Sequence, residues 1–83
     1  GVTIVRLYQE NFRLPDNLAV DYLIISNNSV KNLSALIGNI EAKRLILDSS
    51  NSFYQADKLL LEAQQHRMNI FSVPHHGAFD LTI

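Results

Sequence analysis

The sequence predicts an α/β fold on one small mixed sheet, with elements in the order β-β-α-β-α-β-β and a C-terminal β-hairpin. Three observations carry this expectation. Short apolar runs at residues 2–8, 19–25, 43–47 and 70–73 are separated by polar, turn-forming stretches. Two of the intervening stretches hold apolar residues at helical spacing. Phe79, Leu81 and Ile83 alternate with Asp80 and Thr82, as in a half-exposed last strand.

Residues 2–8 are β-branched and aromatic, and Pro15-Asp16-Asn17 marks a turn-rich connection after them. Residues 19–25 are apolar apart from Asp21, the pattern of a strand covered on both faces. Ser29 is an N-cap candidate for a helix carrying Val30, Leu33, Leu36, Ile37 and Ile40, with Gly38-Asn39 as its stop. A third strand at 43–47 runs into the polar loop from Asp48 to Ser52, and Ser52 can cap the next helix. That helix, at 54–68, turns Ala56, Leu59, Leu60 and Ala63 inward and Gln55, Lys58, Glu62, Gln65 and His66 outward. Residues 70–73 are the fourth strand, and Pro74-His75-His76-Gly77 reads as the tight turn of the final hairpin.

With 83 residues the chain can build one core and one domain. An apolar fraction of 47% against 18% charged residues is globular composition, so the chain is expected to fold. The net charge of −1 and scattered basic residues, with Lys43-Arg44 the one adjacent Lys/Arg pair, give no footprint for direct nucleic-acid binding. Zero cysteines exclude disulfides, thiolate zinc sites and a cysteine nucleophile. No apolar run approaches the roughly 18 residues of a membrane span. The chain opens with Gly1, directly ahead of a strand, instead of Met. It is therefore expected to be an excised C-terminal piece, residues 1–83, of a larger protein.

Candidate chemistry is sparse. Adjacent His75 and His76 beside Gly77 resemble metal ligands, but a catalytic zinc needs about three protein ligands and His66 is the one other histidine. The preferred reading is a pair of exposed turn histidines. Asp48 at a strand's C-terminal end could ligate a metal or orient a base. The preferred reading of its Asp-Ser-Ser-Asn-Ser loop is helix capping and Asx turns. Asp21 and Asp80 read as isolated, solvated carboxylates. Ser72, His75 and Asp80 could be assembled into a triad, but no Gly-x-Ser-x-Gly elbow accompanies them. With only Gly1, Gly38 and Gly77 there is no phosphate-binding loop. No catalytic residue, metal or cofactor is assigned, and His75, His76 and Asp48 remain the metal candidates.

The run Arg44-Leu45-Ile46-Leu47-Asp48-Ser49-Ser50-Asn51-Ser52, followed by Asn69 to Ile83 with its closing Gly77-Ala78-Phe79, resembles the end of ComEC-type DNA internalisation proteins. The resemblance covers residues 21–83. It implies a parent protein in the inner membrane, many of whose relatives end in a metallo-β-lactamase-like domain. The present chain is then similar to the C-terminal half of that sandwich. Where intact members carry His-His-Gly-Ser, this chain has Asn27-Asn28-Ser29 in the matching place, and 52–57 stands where they carry Gly-His-Pro-His. The resemblance thus implies a degenerate metal site. His75-His76-Gly77-Ala78 imitates the metal motif, but it falls in the terminal turn, with only a short strand after it.

The expected function is a non-catalytic C-terminal domain of a competence-type DNA-uptake membrane protein, soluble in itself, packing on the rest of its own chain or a competence partner. Self-association through an apolar edge strand is also expected. One rival is a fragment of a metal-dependent hydrolase using His75, His76 and Asp48, active only in the full-length protein. Another is a flavodoxin-like or receiver-like module with Asp48 as acceptor, against which the terminal hairpin stands.

Overall fold

The structure is a computed structural model, and it describes residues 1–9, 18–36 and 40–76. The side chains of Ala35 and His76 also lie outside the description. Four strands, β1 (Ile4–Leu7), β2 (Leu18–Ile25), β3 (Ile40–Leu47) and β4 (Ile70–Ser72), form a sheet in sequential order. A 3-10 turn, Leu33–Ala35, lies between β2 and β3. The main helix α1 (Phe53–Gln65) joins β3 to β4, and a one-turn helix α2 (Val73–His76) follows β4.

Every strand pairing among the described residues is parallel, and the antiparallel strand that would make the sheet mixed was expected at 79–83. Parallel neighbours need a crossover between them, and α1 supplies the one from β3 to β4. The final strand of the expected hairpin, residues 79–83, lies outside the described residues, as do the turn at 11–17 and the helix stop at Gly38-Asn39. Residues 73–76 form a helical turn instead of part of a hairpin turn. Proline is tolerated in a helix's first turn because its missing N–H would have no partner there.

One core lies on the face that carries α1. It joins Leu7, Val20, Leu23, Ile25, Leu45 and Leu47 of the strands to Ala56, Leu59 and Ala63 of α1 and to Val30, Leu33 and Leu36 of the β2–β3 connection. The core residues of β2 are Leu18, Val20, Leu23 and Ile25, and those of β3 are Ile40, Ala42, Leu45 and Leu47. Both series step by two, then three, then two. A regular strand turns alternate residues to one face, so each strand slips by one residue at the same level. At that level the N–H groups of Asp21 and Tyr22 both donate to the Thr3 carbonyl, at 3.0 and 3.1 Å. The slip brings apolar residues from both halves of each strand onto one core.

The expected helix after Ser29 does not form. Asn27 and Asn28 adopt left-handed backbone (φ 56° and 52°), a region that asparagine tolerates better than most residues. Beyond them, the Val30 and Lys31 carbonyls accept from Gln55 Nε2 at 2.9 and 3.1 Å, and the Leu33 N–H donates to Glu62 Oε2 at 3.0 Å. Side chains of α1 thus replace the missing helical bonds. This also corrects Gln55 and Glu62, read as outward-facing: Gln55 is buried and Glu62 half-buried.

α1 begins and ends on defined caps. Ser52 accepts from the Gln55 N–H at 3.1 Å. At the other end Arg67 is left-handed (φ 55°), Met68 N–H donates to the Ala63 carbonyl at 2.9 Å, and Arg67 N–H donates to that of Gln64 at 3.3 Å. This pairing is a Schellman motif with arginine where glycine is usual, and it stops the helix before the expected residue 68.

Asp21 is not the isolated carboxylate expected. It accepts from the Thr3 N–H at 2.8 Å and lies 3.0 Å from Lys43 Nζ, tying β1 and β3 to β2 where the strands slip. The Thr3 N–H and, after it, the Lys43 ammonium hold its carboxyl below the ordinary value of 3.8. A depressed carboxyl pKa contributes stability that is fully present above the unfolded value and lost as pH falls through the folded one. The urea midpoint gap between the wild type and Asp21→Asn is therefore expected to be largest near neutral pH and to close as pH drops below about 3.8. A gap constant over that range would show that the charge contributes nothing.

Candidate functional site

Ligands in open α/β sheets bind beyond the C-terminal ends of strands. At that edge a cleft of about 400 Å³ is lined by Arg6, Tyr8, Ser26, Asn27, Asp48 and Ser50, from the ends of β1, β2 and β3. Its one carboxylate, Asp48, is a residue the sequence marked. Its side chain is 24% exposed, and Arg6 Nη2 stands 3.6 Å from Oδ2. Ser26 Oγ donates to the same oxygen. Oδ1 accepts from the Ser50 N–H at 3.0 Å, from Ser50 Oγ, and from Asn51 Nδ2 at 3.4 Å.

Asn51 lies beneath the cleft and is buried. Its Nδ2 donates to the carbonyls of Ile25 at 2.6 Å and Asp48 at 3.0 Å, while its Oδ1 accepts from the Asn28 N–H at 3.0 Å. Around it, Asn27 N–H donates to Ser50 Oγ at 2.7 Å, Ser52 N–H donates to Asn28 Oδ1 at 2.8 Å, and Asn27 Nδ2 donates to the Tyr8 carbonyl at 3.4 Å. The loop from Ser26 to Ser29 and the loop from Asp48 to Ser52 are therefore cross-linked in both directions.

His75 belongs to a second cluster. Its Nδ1 lies 2.7 Å from Ser72 Oγ, its Nε2 lies 3.5 Å from Asp57 Oδ1, and its ring stacks on Phe53 with centroids 4.0 Å apart. With a side chain only 15% exposed, it is not the exposed turn histidine expected. Ser72 and His75 do meet, as the on-paper triad required, but Ser72 is fully buried and no substrate carbonyl can reach its oxygen. Asp80 and the His76 side chain lie outside the described residues. Asp48 and His75 share no described hydrogen-bond partner. Among the described residues no group of three or more His, Asp or Glu side chains is arranged to hold a metal ion.

Sequence reasoning missed Arg6 and Tyr8 as lining residues and Asn51 as the centre of the cross-links. No local signal announces Arg6, which reaches Asp48 only because β1 and β2 pair in parallel. Asn51 carried a hint, since a polar loop between a buried strand and a buried helix must satisfy backbone groups that water cannot reach.

Fold and site together define a small parallel α/β domain whose strand-end cleft is knitted from its own loop side chains. The model of the ComEC C-terminal domain family matches residues 1–83, and the chain belongs to that family, which places it among the competence proteins of DNA uptake. No curated protein and no solved structure matches the chain. ComEC proteins are membrane proteins, and among the described residues no helix is long and apolar enough to cross a membrane.

Asn51→Ala leaves the Asn28 N–H without its partner and takes one of two donors from the Ile25 carbonyl, which keeps the Asp48 N–H at 3.2 Å, and a buried group left unpaired costs about 1–3 kcal/mol. Urea denaturation is expected to show a loss of that size. Ser49→Ala, at an exposed position in the same loop, should stay within about 0.5 kcal/mol of wild type. Equal effects of the two changes would remove Asn51 from its assigned role.

Proposed function

We propose that the chain is a non-catalytic C-terminal domain of a competence-type DNA-uptake membrane protein, with a structural or interaction role toward the rest of its own chain or a competence partner. The observation that carries this reading is the state of Asp48. A general base or metal ligand needs a lone pair directed at the reactant, and a carboxylate offers about four such sites. Asp48 meets Ser26 and Arg6 on one oxygen, and Ser50 twice and Asn51 on the other. Both of its oxygens are thus engaged by the fold.

We read the sheet further as the C-terminal half of a metallo-β-lactamase-like sandwich with a degenerate metal site. Asn27 and Asn28 stand in the place of ligands, and both are engaged with neighbouring loops. In the other matching stretch, 52–57, Ser52 caps α1 and Gln55 holds the β2–β3 connection. These residues support a site given over to stability.

Calorimetric titration of zinc and of manganese into the chain tests the reading, repeated with His75 and His76 both changed to Ala. The expected result is no stoichiometric binding by either protein. Stoichiometric binding that the double variant loses would restore a metal-dependent hydrolase.

A further inference from the structure

The sheet has two edge strands among the described residues, and they differ. β4 is three residues long and α2 leaves directly from its end. β1 pairs with β2 alone. The Thr3 and Leu7 carbonyls face β2, so by alternation the N–H and C=O groups of Ile4 and Arg6 face away from the sheet. No described hydrogen bond reaches these outward groups. Val2, Ile4 and Tyr8 are exposed on the same segment, at 44%, 38% and 55%. Edges are ordinarily blunted by lysine, proline or a covering element. Residues 2–8 hold neither lysine nor proline, and the one charge, Arg6, is turned toward Asp48.

We propose that β1 pairs antiparallel with β1 of a second copy of this chain, across a two-fold axis at Val5. That register lets Ile4 and Arg6 of the second copy exchange backbone hydrogen bonds, and it sets Val2 opposite Tyr8. Like charges never stand directly opposed, since Arg6 faces Ile4. A net charge of −1 leaves little repulsion between copies. The result is one continuous eight-stranded sheet with an isologous contact. This inference goes beyond the proposed function and stands on the geometry of the β1 edge.

Sedimentation of the intact chain from about 1 μM to about 1 mM tests it. The mass is expected to rise toward that of a dimer with concentration. Ile4→Pro removes an outward N–H that an edge strand does not need, and Ile4→Lys places a charge on the exposed position. Each is expected to weaken association at least about tenfold with an unchanged thermal midpoint. If Ile4→Pro does not fold, Ile4→Lys decides. A wild type monomeric over the whole range, or an Ile4→Lys variant that dimerises like wild type, overturns the pairing. A strict monomer leaves the non-catalytic reading standing, whereas zinc binding overturns that reading and leaves the pairing untouched.

Discussion

The side-chain amide of Asn51 is the interaction on which the rest of the structure depends. β2 and β3 leave the sheet side by side, and their last backbone groups need partners where little water reaches. One buried amide supplies two donors, to Ile25 and Asp48, and one acceptor, to Asn28. The next residue, Ser52, caps α1, so the same turn that closes the sheet edge also fixes where the helix starts. From that start, Ala56, Leu59 and Ala63 meet Leu23, Leu45 and Leu47 in the core.

Sequential strand order imposes a second constraint. Right-handed crossovers that always step to the next strand in one direction fall on a single face, so the β2–β3 connection and α1 compete for one layer. Their residues do share one core. With α1 thirteen residues long, the described part of the β2–β3 connection holds a 3-10 turn and irregular backbone. Irregular backbone under a helix must still find hydrogen bonds, and α1 supplies them through Gln55 and Glu62, seven residues apart and so on one side of the helix. Among the described residues, the five buried polar ones, Ser26, Ser29, Asn51, Gln55 and Ser72, all hold a hydrogen bond.

Much of this was legible from spacing alone. Four strands, the main helix and its Ser52 cap follow from patterns that report burial within one segment, and they came out within a few residues. The stretch 30–36 shows the limit. Val30, Leu33 and Leu36 are buried as their spacing required, but spacing states which residues face the core and not which backbone satisfies them. Strand direction was illegible for a related reason, because it depends on where the chain crosses the sheet. The slip at Asp21 and Lys43 left no local mark either, since each half of each strand keeps a period of two. At the site, Asp48 was visible as a strand-end carboxylate, while its partners on β1 and β2 come from residues 22 or more positions away.

A strand-end position alone does not make a ligand site. Doubly wound sheets bind ligands where the strand order reverses and neighbouring connections depart to opposite faces, opening a crevice. The described strand order does not reverse, and the loops at 26–29 and 48–52 lie against each other. The side chains between them are the Asp, Ser and Asn types that active sites also use, and their identity cannot separate the two roles. What separates them is whether lone pairs and N–H groups are left over. Here both Asp48 oxygens, the Asn51 amide, Asn27 Nδ2 and Asn28 Oδ1 bond to groups of the protein itself. Arg6 and Tyr8 keep exposed polar groups at the rim of the cleft, on β1 and just after it. Exposed polar groups of this cleft therefore come from β1 and the residue after it.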